Sequence, residues 1–338
     1  MYRHPTTPMP IKAFFFFPCL IAFLVVLAPP TARSSQDELR IALLPIIDSF
    51  PYHVAQSENL FDQAGIHVRG LAVSSAVNRD QLMQSGAIDG MLNELMTTAN
   101  FNRHASRVKI VAVVRSADAT HPLFRILAAP GSTLRDPADL AGVPIGISRN
   151  TIIEYVTDRL LEHSGMDTST VRKQSVPSIP ERYQLLLQGR LDAATLPDPL
   201  AQSAMAAGAV LLIDDRAIAG RSLSVLSFNN AALQEKKAAI QRFLGAWHQA
   251  VKRINARPET YLPLLLEKIR IPPNVQANYR IPPFAYRQIP DRSQWQDVMA
   301  WMVDRHLLDQ PLDFSSSVEP DLMGMPEAPS VPKTLSVQ

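Results

Sequence analysis

A two-lobed α/β fold is predicted by three features of the chain. Apolar runs alternate with helical stretches, and glycines close several helices just ahead of the next apolar run. The third is size: 338 residues at 46% hydrophobic and 19% charged carry enough apolar material for more than one core. Leu39 to Ile47 (LRIALLPII) reads as a buried strand, with Asp48, Ser49, Phe50 and Pro51 as the turn after it. Tyr52 to Ala64 is a helix closed by Gly65, and Ile66 to Val73 is a second strand. Asn78 to Ser85 is a helix ended by Gly86, and Ala87 to Leu92 is a third strand that leads into another helix; Val108 to Val114 (VKIVAVV) is a further strand. Strands separated by helices at this spacing imply a largely parallel sheet with helices on both faces.

The alternation pauses at Arg125 to Ala129, which is extended, and at the turn-rich Gly131 to Asp139. It restarts with Val143 to Ile147 (VPIGI) as a strand, Thr151 to His163 as a helix and Leu191 to Leu196 as a strand, so a second lobe begins here. Gly189, Arg190, Leu191, Asp192 echoes Gly86, Ala87, Ile88, Asp89 at a displacement of 103 residues. A Gly that closes a helix before a strand is common, so the echo alone carries little weight. Gln234 to Arg257 is a long helix with Ile240, Phe243, Leu244, Trp247, Val251 and Ile254 on one face, and its basic residues read as a solvated face. From Ser315 onward Ser, Pro and Val dominate without periodicity, which predicts a loosely ordered tail.

The first 34 residues read as an export signal. Lys12 precedes the apolar run Ala13 to Ala28, and the small and polar stretch Pro29 to Ser35 follows. The run is 16 residues long and interrupted by Pro18, whereas a spanning helix needs about 20. Cys19, the one cysteine, follows Phe16, Phe17 and Pro18 rather than the Leu and small residues that lipid attachment requires, so no lipid anchor is expected. A cleaved chain then has no thiol chemistry and no disulfide. Thirty-three Lys and Arg against 31 Asp and Glu give a net charge of +2, but Arg3, Lys12 and Arg33 lie in the leader without a single acid. The exported part is thus close to neutral, and a large nucleic-acid-binding surface is not expected.

Several chemistries lack their local motif. The eight histidines include no pair three or four apart, which removes the two-His helix face of zinc hydrolases. Gly146, Ile147, Ser148, Arg149, Asn150 begins like a serine-hydrolase elbow but lacks the closing Gly, so Ser148 reads as a binding or capping residue. No phosphate-cradling or dinucleotide glycine motif is present, and no metal or cofactor is expected.

In an open α/β sheet, ligands bind beyond the carboxyl ends of strands, where helix starts present free amides beside short polar side chains. The candidates are Asp48 and Ser49 after the first strand, Ser74 and Ser75 after the second, and Asn93 and Glu94 after the third. In the second lobe they are Ser148, Asn150 and Thr151, with Glu154 one turn into the helix, and Asp198 in Pro197, Asp198, Pro199. Each is as readily a helix cap as a ligand contact. Asp48, Glu94 and Asp198, with Glu154 one turn into the helix, against Arg149 as the only nearby cation suit a neutral or amino-bearing heterocycle better than a strong anion, which would rely on the amides at Ser148 to Thr151.

Leu134 to Ser148 (LRDPADLAGVPIGIS) resembles the "-x-D-L-x-G-x-x-I-G-" segment of solute-binding proteins for ATP-driven importers, in the sulfonate, taurine, nitrate and thiamine-precursor (NMT1/THI5-like) group. The opening strand into Asp48 to Pro51, the repeated G-x-[IL]-D, and Leu196 to Leu200 (LPDPL), where that family often has an aromatic-acid-Pro segment, extend the resemblance from about Leu39 to Arg257. Here Leu196 and Pro197 replace the aromatic. The resemblance implies a type II periplasmic-binding-protein fold, two α/β lobes joined by a two-stranded hinge near Phe124 to Ala129 and Ile213 to Ser222. It divides the chain into residues 1–34 (signal peptide), 35–127 (first part of lobe 1), 128–215 (inserted lobe 2), 216–314 (return to lobe 1 and C-terminal helices) and 315–338 (tail). It also implies a periplasmic monomer that closes on a small organic nitrogen or sulfur compound and hands it to a permease and its ATPase in the inner membrane. Two alternatives stay open: an enzyme on the same fold, though the cysteine-rich motif of the pyrimidine-synthase relatives is missing, and an exported sensory domain.

Overall fold

Leu39, Ile41, Ala42 and Leu43 bury both faces of β1 (Glu38–Leu43), as a strand in the middle of a covered sheet must. In the computed structural model, which describes residues 1–2, 37–269 and 271–323, β1 pairs in parallel with β2 (His67–Ala72) and β3 (Gly90–Asn93). Helices α1 (Phe50–Ser57) and α2 (Leu60–Gln63) connect β1 to β2, α3 (Ala76–Gln84) connects β2 to β3, and α4 (Leu95–Asn102) leads into β4 (Val108–Ser116). The single helix expected over 52–64 is broken because Asn59 takes a left-handed conformation, φ 55°.

A second sheet follows the same plan. After β5 (Phe124–Ala128) come β6 (Pro144–Ile147), α5 (Ile152–His163), β7 (Arg172–Ser175), α6 (Ile179–Leu187), β8 (Ala193–Pro197), α7 (Leu200–Ala206) and β9 (Val210–Asp214). The chain then returns as β10 (Leu223–Asn229) between β3 and β4. The strand orders are β2-β1-β3-β10-β4 and β7-β6-β8-β5-β9, two versions of one topology. In each, the antiparallel strand is the one that arrives from the other sheet. The echoed glycines mark equivalent positions: Gly86 (φ 71°) ends α3 ahead of β3, and Gly189 (φ 65°) ends α6 ahead of β8.

The two crossings lie side by side. Ala117 N–H donates to Ser222 C=O at 2.9 Å and Gly220 N–H to Ala117 C=O at 3.1 Å. Fully buried Asp215 accepts from the Leu123 and Phe124 amides at 2.9 and 3.1 Å, pinning the outgoing strand to the returning one.

The remaining chain packs as helices. α8 (Asn230–Glu235) and α9 (Lys237–Ala256) replace the continuous helix expected over 234–257; the break is at Lys236 (φ −122°), whose ammonium reaches Asp89 and the Glu38 carbonyl. The six apolar residues expected on one face of this helix are buried against the first sheet and α1. After α10 (Leu262–Lys268) and α11 (Pro273–Gln276), α12 (Arg292–Asp304) starts with a reciprocal Asp291–Gln294 capping box and packs on α4. It also bonds to α5: Trp301 Nε1 donates to Asp158 at 3.0 Å, and Tyr155 to Asp297. The first residues of the expected tail are not loose. α13 (Phe314–Ser317) is followed by a bridge from Val318 to Ile110 and by Leu322, 3% exposed, because these apolar residues find core to cover. The expected leader, including Cys19, and the end of the tail fall on residues 3–36 and 324–338, outside the described residues. Among the described residues no helix is long and apolar enough to cross a membrane.

Candidate functional site

Strand ends of both sheets meet around one cavity. The first sheet contributes Leu44 and Ile46 after β1, Ala76 at the start of α3 and Glu94 after β3. The second contributes Ser148 and Thr151 after β6, Arg182 from α6 and Pro197 at the end of β8, while Phe124 enters from the crossing strand. Aliphatic and proline side chains, among them Ile152, Ile153, Pro177 and Ile179, fill most of the wall. The water-accessible space is ≈ 40 Å³, room for about three or four water-sized groups.

Of the residues singled out from the sequence, Glu94, Ser148 and Thr151 reach this cavity. Thr151 caps α5, accepting from Ile153 N–H at 3.2 Å and donating to Ser148 C=O at 2.8 Å. Ser148 is 3% exposed and its hydroxyl has no protein partner. Ser49 donates to Ile46 C=O at 2.9 Å and so shapes the loop that carries the Ile46 wall. Ser75 caps α3, whereas Ser74 is exposed and bonds Asn78. Asn93 donates to Thr98 at 2.9 Å, and its carbonyl oxygen is unpartnered. Asn150 is exposed with φ 57°, and Glu154 accepts from the Asn150 amide at 2.7 Å and pairs with Lys173 at 3.3 Å.

The acids are matched by arginines that the sequence pattern does not flag. Asp48 pairs with Arg115 at 2.9 Å, both buried; Asp198 pairs with Arg125 and also accepts from Gln202 at 2.9 Å. Glu94 takes Arg79 at 3.1 Å and the Thr97 hydroxyl at 2.9 Å. Tyr279, pushed up by burial, lies within electrostatic reach of both the Asp48–Arg115 and Asp198–Arg125 pairs. Arg149, expected as the only nearby cation, is instead exposed and donates to Lys173 C=O at 2.8 Å. Each of these acids thus has a cationic neighbour that the sequence pattern alone does not show.

Arg182 differs from the other three. It is fully buried, donating from Nε to Thr195 C=O at 2.9 Å and from Nη1 to Val176 C=O at 2.6 Å, with no acid partner and with Nη2 unpartnered. Burial pulls its guanidinium down to about 10. The sequence held one clue: Ile179, Arg182 and Leu186 fall at helical spacing on one face, which puts an arginine on a buried stripe. Among the described residues no cluster of His, Cys, Asp and Glu could hold a metal.

A family model described as NMT1/THI5 like matches residues 47–261. A Brachyspira hyodysenteriae protein assigned by name as an ABC transporter periplasmic binding protein is 23% identical over 258 residues, 71% of this chain and 73% of its own length. The alkanesulfonate-binding protein SsuA from Xanthomonas axonopodis pv. citri, solved bound to MOPS, superposes with a TM-score of 0.71 at 18% identity, covering 84% of this chain and 98% of that one. The aliphatic sulphonate binding protein SsuA from Escherichia coli gives 0.70 at 18%, covering 85% and 98%. The desulfurization enzyme DSZB also shares the architecture, with a TM-score of 0.63 at 15% identity over 85% of this chain and 98% of its own. At these identities the structural likeness establishes the type II periplasmic-binding fold and leaves chemistry to the site.

Proposed function

Because the chain belongs to the NMT1/THI5-like family, we propose that it is an exported solute-binding protein that captures a small organic nitrogen or sulfur compound between its lobes and delivers it to an ATP-driven importer. The observation that carries this reading is the cavity lined by residues at the carboxyl ends of both sheets, a place where one small molecule would touch each of them. Two adjacent crossings, tied by the Ala117–Ser222 and Asp215 bonds, suit a hinge between the lobes. Contacts made only when both rims close supply the differential affinity that shifts an open protein to the closed form. A permease that recognises the closed form then receives loaded protein. The relatives named for transport support this over catalysis, although DSZB is an enzyme on a similar frame.

The test is a thermal-shift screen of the purified protein against sulfonates, taurine, nitrate, pyrimidines and amino acids. At least one compound raises the melting temperature saturably, and a flat response across such a library overturns the reading. Cell fractionation checks export independently: a shortened chain is expected in the periplasm.

A further inference from the structure

The segment that holds α11 is rooted in the first lobe and reaches the second. Ile271, Val275 and Tyr279 are buried in the core of the first sheet. Downstream, Phe284 N–H donates to Asn255 Oδ1 at 2.9 Å and Asn255 Nδ2 to Phe284 C=O at 2.8 Å, while Ala285 N–H donates to Val114 C=O at 2.9 Å, so α9 and β4 fix that end. Asn274 faces the other way. Ser203 Oγ donates to its Oδ1 at 2.8 Å, and its Nδ2 donates to Ser203 C=O at 2.9 Å. Ser203 lies on α7, whose Ala201 and Ala204 are buried in the core of the second sheet. Because the one hydroxyl proton of Ser203 goes to Asn274, Tyr183 is the donor in its 2.7 Å bond to Ser203 Oγ. Tyr183 sits on α6, one turn on from Ile179, which lines the cavity. A second contact repeats the pattern: Tyr279, 2% exposed, lies within electrostatic reach of Asp48–Arg115 from the first sheet and of Asp198–Arg125 from the second.

We infer that α11 is a latch between the lobes, in which the Asn274–Ser203 pair biases the hinge toward the closed form from outside the cavity. This rests on the solute-binding reading and adds to it the residue pair that sets the resting balance between open and closed. Two reciprocal bonds 2.8 and 2.9 Å long exist at one separation of the lobes only, so a swing about the crossings breaks both together while the bonds to α9 and β4 survive. The segment is also stiff. Pro272 and Pro273 before Tyr279, and Pro282 and Pro283 after it, fix their φ angles, so little backbone freedom is lost when the latch engages. A latch of this kind raises the closed population, and with it the apparent affinity for whatever the closed cleft holds.

The test measures lobe separation in the full exported chain, by double electron–electron resonance between nitroxides on Ala72→Cys and Ser175→Cys. Both positions are exposed, at the ends of β2 and β7, the edge strands farthest from the crossings, where a hinge motion is largest. Cys19 is the one cysteine and falls in the expected leader, so the exported chain takes label nowhere else. With no solute added, the doubly labelled parent is expected to show mainly the shorter separation. Asn274→Ala raises the ratio of longer to shorter by about 10- to 100-fold, the effect of losing two hydrogen bonds. Ser203→Ala keeps the bond from Asn274 Nδ2 to the backbone carbonyl, so it raises the ratio only about 3- to 10-fold. Asn274 is exposed, and a cooperative melting transition in each variant verifies that it folds. A parent that shows only the longer separation, or the same distance distribution in parent and Asn274→Ala, overturns the latch. Because no solute takes part, either result leaves the solute-binding reading standing, and that reading falls on a flat response in the thermal-shift library instead.

Discussion

Arg115→Met tests whether the loop after β1 is held by charge. Arg115 Nη1 and Asp48 Oδ1 are 2.9 Å apart, with side chains only 3% and 7% exposed. At an effective dielectric of 20 their attraction is about 6 kcal/mol, and the desolvation of both groups offsets most of it. Removing one partner discards the attraction but keeps the penalty on Asp48, so the variant is expected to lose about 3–5 kcal/mol. Over a chain of 338 residues, a loss of that size lowers the melting temperature by about 6 °C. The double variant Arg115→Met/Asp48→Asn buries neither charge and is expected to recover about 1–3 kcal/mol relative to the sum of the single changes. Scanning calorimetry on the four proteins of the cycle measures that coupling. A double variant no better than the sum of its singles, or Arg115→Met melting within about a degree of the parent, would refute the reasoning.

Two further substitutions probe the core and the crossings. Gly90→Ala would place a Cβ 2.7 Å from Phe228 Cε1 and 3.0 Å from Ile41 Cδ1, both in fully buried side chains, so urea unfolding is expected to show a loss of about 1–3 kcal/mol; an unchanged midpoint contradicts this packing. Burial pushes the Asp215 carboxyl up to about 7, against the two amides that favour its charge. The folded state therefore holds a proton that the unfolded chain releases near its ordinary value of 3.8, so the group's contribution is complete below that pH and is lost as pH rises to about 7. The stability of the parent relative to Asp215→Asn should fall by about 4 kcal/mol across that window, and a difference independent of pH would sink the assignment.

The first half of each sheet was legible because its signals are local. Apolar runs bounded by Gly86 or Gly189 mark strands whatever lies elsewhere, and the echo between them turns out to mark one topology used twice. β10 was less so: its place between β3 and β4 depends on pairing more than 100 residues back, which no window of sequence contains. The site split the same way. Ser148 and Thr151 follow from the rule that helix starts after strands are polar. Arg115 and Arg125 sit in strands, and their roles are set by Asp48 and Asp198, 67 and 73 positions away, so the acids looked unpaired in sequence when the fold neutralises them. Arg182 was harder to read: a positive side chain on a helix suggests a solvent-facing position, and its spacing with Ile179 and Leu186 was the one hint that it lies inside.

The bond from Trp301 to Asp158 ties the last part of the chain to α5. Chain growth delivers residues from the amino end, and both sheets have all their strands once Asn229 has emerged. Asp158, with no surface in contact with water, is then served only by Lys173; Trp301 and Arg305, the latter at 2.7 Å, arrive more than 70 residues later. A polypeptide truncated before α12 would keep the strands of both sheets yet leave Asp158 on α5 with Lys173 alone, so the last long helix completes the half it does not belong to in sequence.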